Sequence, residues 1–87
     1  MNEIVKCLEE ITHLAKSSGD ASKIKQAIQK TRETLSSRSK NALLQKLDAE
    51  LSTWQSKLDV ILKEPIGREG MAKHAKHWIG ELCKTNH

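Results

Sequence analysis

Leu44, Leu47, Leu51, Trp54, Leu58 and Ile61 recur at alternating intervals of three and four residues. A strand cannot gather such a set on one face, because its side chains alternate with a period of two. A helix stacks positions i, i+3, i+4 and i+7 into one stripe. The seam runs for about two and a half heptads, the pattern of coiled coils and antiparallel bundles. Leu43 and Leu62 widen it, and Pro65 closes it. Proline has no N–H and disfavours helix in the residue before it. The spacing predicts a long third helix over residues 39–64, roughly 39 Å from end to end, as the spine of the fold.

A helix with one apolar stripe needs partners, and the chain supplies them. Ile4, Leu8, Ile11 and Ala15 share a face of a first helix over residues 2–17, with Val5, Leu14 and Cys7 beside them. Ser17, Ser18 and Gly19 end it, glycine readily taking the left-handed cap. Asp20 or Ser22 can cap a second helix over 20–36, where Ile24, Ile28, Thr31 and Leu35 repeat the spacing. Continued in register, that stripe would put Arg38 and Gln45 in the core. The apolar pattern restarts out of phase at Leu44, which places a break at Ser36–Ser39. After a turn at Ile66–Gly67, Met71, Ala75, Trp78 and Leu82 form the stripe of a fourth helix over 68–84, with Ala72, Ile79 and Cys83 flanking. Gly70 and Gly80 each cost that helix about 1 kcal/mol relative to alanine, unless they permit close approach at a helix crossing.

The connections are short, so sequential helices should be antiparallel. The expected fold is all-α: a small four-helix, mostly antiparallel bundle in a single domain over residues 1–87. A chain of 87 residues buries about 60–65% of the surface its unfolded form exposes, a thin margin that a partner would improve. With 37% apolar and 30% charged residues, it is too apolar for disorder and too charged for a membrane protein. No stretch approaches the roughly 20 apolar residues that span a bilayer, and the N-terminus lacks a secretory pattern. Cys7 and Cys83 are too few for a secreted disulfide framework. The expectation is a cytoplasmic protein with two free thiols, the alternative being one disulfide between the first and last helices.

Chemistry-bearing residues are sparse. His74, His77, Cys83 and His87 are zinc-ligand types, but His77 and Cys83 point to different sides and no CxxC or HExxH motif is present. The plainer reading makes the histidines surface residues and Cys83 a small core hydrophobe. The acids are scattered among lysines, and Gly67-Arg68-Glu69-Gly70 lacks the Lys-Ser/Thr of a phosphate loop. Trp54 and Trp78 fall on the apolar seams and read as core. No catalytic residue, metal or cofactor is expected.

Charge is the most uneven feature. Between residues 20 and 40, Lys23, Lys25, Lys30, Arg32, Arg38 and Lys40 stand against Asp20 and Glu33, an excess equal to the whole net charge of +4. These six cations are the candidate partner-binding residues, because a local basic field attracts acidic protein surfaces or nucleic acid phosphates. The segment has no interleaved aromatics for base stacking.

Lys46-Leu47-Asp48, Ile61-Leu62-Lys63-Glu64 and Arg68-Glu69-Gly70-Met71 together resemble the last two helices of a BAG domain. That resemblance implies a three-helix bundle binding the nucleotide-binding lobe of Hsp70 chaperones. Of the family's interaction positions, Arg68 matches an arginine. Lys76 stands where the family has glutamine, and Ser56 and Ile66 where it has acids. Trp78-Ile79-Gly80 resembles the WxG tripeptide of small secreted helical hairpins, but falls inside a helix rather than in a turn. The expected function is a small non-enzymatic protein–protein interaction module, an adaptor, inhibitor or chaperone-like factor, binding an acidic partner surface. The alternatives are a nucleic-acid-associated protein using the basic second helix and a BAG-like Hsp70 cochaperone. A second copy of the chain is a further candidate partner, and no membrane is expected.

Overall fold

All four apolar stripes turn inward. Ile4, Leu8, Ile11, Ile24, Ile28, Leu47, Leu51, Ala75 and Leu82 are fully buried, and Ala15, Leu35, Leu44, Trp54, Leu58, Met71 and Trp78 nearly so. They form one continuous core. The computed structural model describes residues 2–17, 20–37 and 42–85, and in these the protein is all-α, with helices α1 (Asn2–Lys16), α2 (Ala21–Ser36), α3 (Ala42–Ser56), α4 (Leu58–Leu62) and α5 (Pro65–Thr85). No strand occurs among the described residues. The expected Gly19 cap and the Arg38–Ser39 part of the second break lie outside them.

The ends of α2 follow local chemistry. Asp20 occupies the N-cap position, and its carbonyl accepts from the N–H groups of Lys23 and Ile24 at 3.0 and 3.1 Å. Its carboxylate takes the Ser22 hydroxyl instead of a backbone N–H. At the other end the hydroxyls of Ser36 and Ser37 donate to the carbonyls of Glu33 and Thr34, both at 2.8 Å. Serines satisfying the last carbonyls locally terminate a helix without a glycine. In the core, Thr31 and Thr12 dispose of their hydroxyls the same way, donating to Ala27 and Leu8. Neither carries an unsatisfied buried group.

The third segment differs from the expectation. It is not one long helix over 39–64 but α3 and α4, separated at Lys57, whose backbone (φ −110°, ψ 17°) leaves the helical region. Hydrogen bonds continue across the joint, from Lys57 N–H to Thr53 and from Ile61 N–H to Lys57, so it is a bend rather than a loop. Thr53 supplies a cause. Its hydroxyl donates to the Ala49 carbonyl one turn back, an arrangement that bends helices.

The expected turn at Ile66–Gly67 also changes. Pro65 does end the preceding helix, but it is itself the first residue of α5. The missing N–H costs nothing at that position, and the fixed φ suits it. The Glu64 carbonyl accepts from Gly67 and Arg68, which draws residues 65–67 into the helix instead of leaving them as the connection. With 21 residues α5 is the longest described helix. Its largest interface is with α1, which also packs on α2; α2 packs on α3, and α4 on α5. The α1–α5 pair therefore holds the place expected of the third helix.

One glycine makes the corner between α4 and α5 possible. A Cβ at Gly67 would lie 2.0 Å from the Ile61 carbonyl oxygen. Gly70 and Gly80 have nothing within 4 Å of a would-be Cβ, so no helix crossing explains them.

Candidate functional site

The six cations of residues 20–40 do not share one face. At about 3.6 residues per turn, Lys25 and Arg32 lie on the flank of α2 toward α3, and Lys23 and Lys30 on the opposite flank. Arg32 is committed to the fold. Its Nε donates to Asp48 Oδ1 at 3.0 Å and its Nη1 to Gln55 Oε1 at 2.7 Å. Gln55 Nε2 in turn donates to Gln29 Oε1 at 2.6 Å. The network ties α2 to α3, with the guanidinium half-buried above the core.

Lys23, Lys25 and Lys30 are exposed. Lys25 and Lys30 border a shallow surface groove with Gln26, Gln29 and Gln55, and Glu33 at its edge. None of the three lysines forms an ion pair within the described residues. Arg38 and Lys40 lie outside them.

A second basic surface comes from residues far apart in sequence. Lys16 of α1 meets Lys73 and Lys76 of α5 around a hollow of about 560 Å³ that also contains Ile66, Gly70 and Ala72. A neighbouring hollow of about 410 Å³ shares Lys16 and Lys76 and extends to Thr12, His13 and Ile79. Sequence reasoning passed over it because each lysine alone is an ordinary solvated residue. The clue lay in Ile66, an apolar residue off every stripe, which is 73% exposed.

The histidines and cysteines are dispersed. His74 and His77 are exposed; His74 Nδ1 lies 3.4 Å from Glu50 of α3 and His77 Nε2 lies 3.9 Å from Glu81. Cys83 is exposed rather than a core hydrophobe, because it lies about 100° around α5 from Leu82 and off the buried stripe. Cys7 is the buried one, on the flank of the α1 stripe. Both thiols are free. No three histidine, cysteine or acidic side chains converge on a metal position among the described residues, and His87 lies outside them. Trp54 and Trp78 are buried. No helix of the described residues is long and apolar enough to cross a membrane.

Arg68, the residue that matches the BAG pattern, turns inward. It donates to the Ala15 carbonyl at 3.4 Å and is half-buried. A cation against the last turn of a helix satisfies a terminal carbonyl and complements the helix dipole. The chain matches no family model, no curated protein and no solved structure. The BAG likeness therefore rests on the quoted residues alone.

Proposed function

We propose that the protein is a non-enzymatic binding module whose exposed lysines on α2 recognise an acidic surface of another protein, in the manner of a small adaptor, inhibitor or chaperone-like factor. The supporting observation is that Lys23, Lys25 and Lys30 stand exposed on α2 without an ion pair among the described residues. Exposed cations contribute little to folding, so the fold leaves these three free to act on a partner. Complementary charge raises encounter rates and disfavours wrong partners more than it adds affinity. Arg32 drops out of the contact set because it bridges α2 and α3. In this reading the chain is a mostly antiparallel bundle of four helical segments, with α3 and α4 acting as one bent arm. The hydrogen bonds support that arrangement: the start of α5 lies beside the end of α1 through Arg68–Ala15, and along α2 Gln29 meets Gln55 whereas the later Arg32 reaches back to Asp48 of α3.

The test is affinity capture from native extract with wild type and with Lys25→Glu/Lys30→Glu as bait, each with and without nuclease. The reading expects a stoichiometric protein that resists nuclease and is lost with the charge-reversed bait. Recovery that disappears on nuclease treatment would assign the lysines to nucleic acid instead, and equal recovery by both baits would remove them from the interface.

A further inference from the structure

We infer that the groove between α1 and α5 is a docking site for an amphipathic acidic helix of a partner protein, about three to four turns long. The inference stands on residues other than those of α2. The two hollows share Lys16 and Lys76, so they adjoin along the α1–α5 pair. From Ile66 at one end to Ile79 at the other they follow α5 for about 20 Å at 1.5 Å per residue.

The chemistry along that length is ordered. Lys16 and Lys76 border both hollows and Lys73 the first; Glu69, between Ile66 and Lys73, borders the first and Glu9 the second, so three lysines stand against two carboxylates. None of the three lysines is ion-paired among the described residues. Apolar surface brackets the cations: Ile66 is exposed at one end, and Ile79 is half-buried at the other. Gly70 lies one turn from Ile66, and beyond its chain neighbours and its own helix backbone a Cβ there would meet nothing within 4 Å. The floor there is open to a closely approaching backbone. A pair of packed helices presents a valley into which the ridge of a third can settle. The complement of such a valley is a helix with apolar residues near both ends and carboxylates between them. Nucleic acid fits less well, because the lining is largely aliphatic and His13 is its one ring, short of the run of aromatic faces on which successive bases stack, both tryptophans being in the core.

The probe is a synthetic capped peptide of about 14 residues, three to four helical turns, with leucines near both ends and glutamates between. Its comparators are the same peptide with lysine in place of glutamate and a single-stranded oligonucleotide. Amide chemical shifts of the full chain are followed during titration. Saturable changes over residues 12–16 and 66–79 with the acidic peptide alone are expected. Lys73→Glu/Lys76→Glu should weaken binding about tenfold, since two attractions become two repulsions. Ile66→Ser should weaken it without changing the charge, and Lys25→Glu/Lys30→Glu should leave it within about twofold. All five positions are exposed, so helix content should not change. Shifts confined to α2, equal binding of the lysine peptide, stronger binding of the oligonucleotide, or no saturation would each overturn the inference. Loss of the α2 reading would leave it standing, because the two variant pairs report on separate surfaces.

Discussion

Adding a single methyl group at each of three glycines should have opposite consequences within one helix. At Gly67 the new Cβ would lie 2.0 Å from the oxygen and 2.9 Å from the carbon of the Ile61 carbonyl. Both are backbone atoms, so no side chain can swing aside, and the corner between α4 and α5 must open. Overpacking of this kind costs up to about 3 kcal/mol. The better helix propensity of alanine returns about 1 kcal/mol, which leaves a net loss of ~2 kcal/mol for Gly67→Ala. In a domain of this size each kcal/mol moves Tm by roughly 4–8 °C, so Tm should fall by about 8–16 °C. Gly70→Ala and Gly80→Ala meet open space and should each gain about 0.4–1 kcal/mol. Urea denaturation followed by far-UV circular dichroism measures all three. A Gly67→Ala protein as stable as wild type would refute the close α4–α5 corner. Losses at Gly70 or Gly80 would show that those positions are crowded.

Leu51→Ala and Leu58→Ala remove buried seam residues and should cost about 2–5 kcal/mol each; Val60→Ala, exposed on α4, should stay within about 0.5 kcal/mol, and equal effects would contradict the inward seam. Arg32→Ala breaks the bridge to Asp48 and Gln55 and should destabilise by ~0.5–1 kcal/mol, with Lys23→Ala neutral in the same denaturation assay. A thiol reagent should modify Cys83 immediately in the native protein and Cys7 only on unfolding, because one is exposed and the other buried; simultaneous labelling under native conditions would contradict those placements.

The apolar periodicity foretold the core nearly residue by residue, because burial on one helical face imposes the spacing directly. Local events with competing determinants were harder to read. The bend at Lys57 has no proline or glycine to announce it, and Thr53 is one of several hydroxyl residues in a seam of good helix formers. Pro65 carries two meanings, stop and start, and only the Glu64 carbonyl decides between them. Gly67 reads as a turn residue in sequence, whereas its role is to admit the Ile61 carbonyl. Cys83 flanks the α5 stripe as Ile79 does, yet it is exposed where Ile79 is half-buried. Among the candidate site residues, charge counting found the basic segment but could not see that Arg32 pairs across 16 positions with Asp48. Lys16 and Lys76 are 60 positions apart in sequence and become neighbours only through the α1–α5 interface.

Association rate against ionic strength, for the captured partner with wild type and with Lys25→Glu/Lys30→Glu, reports whether the α2 lysines steer binding. Steering by complementary charge makes the wild-type rate fall as salt rises, with a Debye length of about 8 Å at physiological strength. If the lysines of α2 steer the encounter, the variant associates more slowly and with a flatter salt dependence at unchanged helix content. Identical rates and slopes for the two proteins would contradict that steering and leave the lysines of α2 as solvated surface.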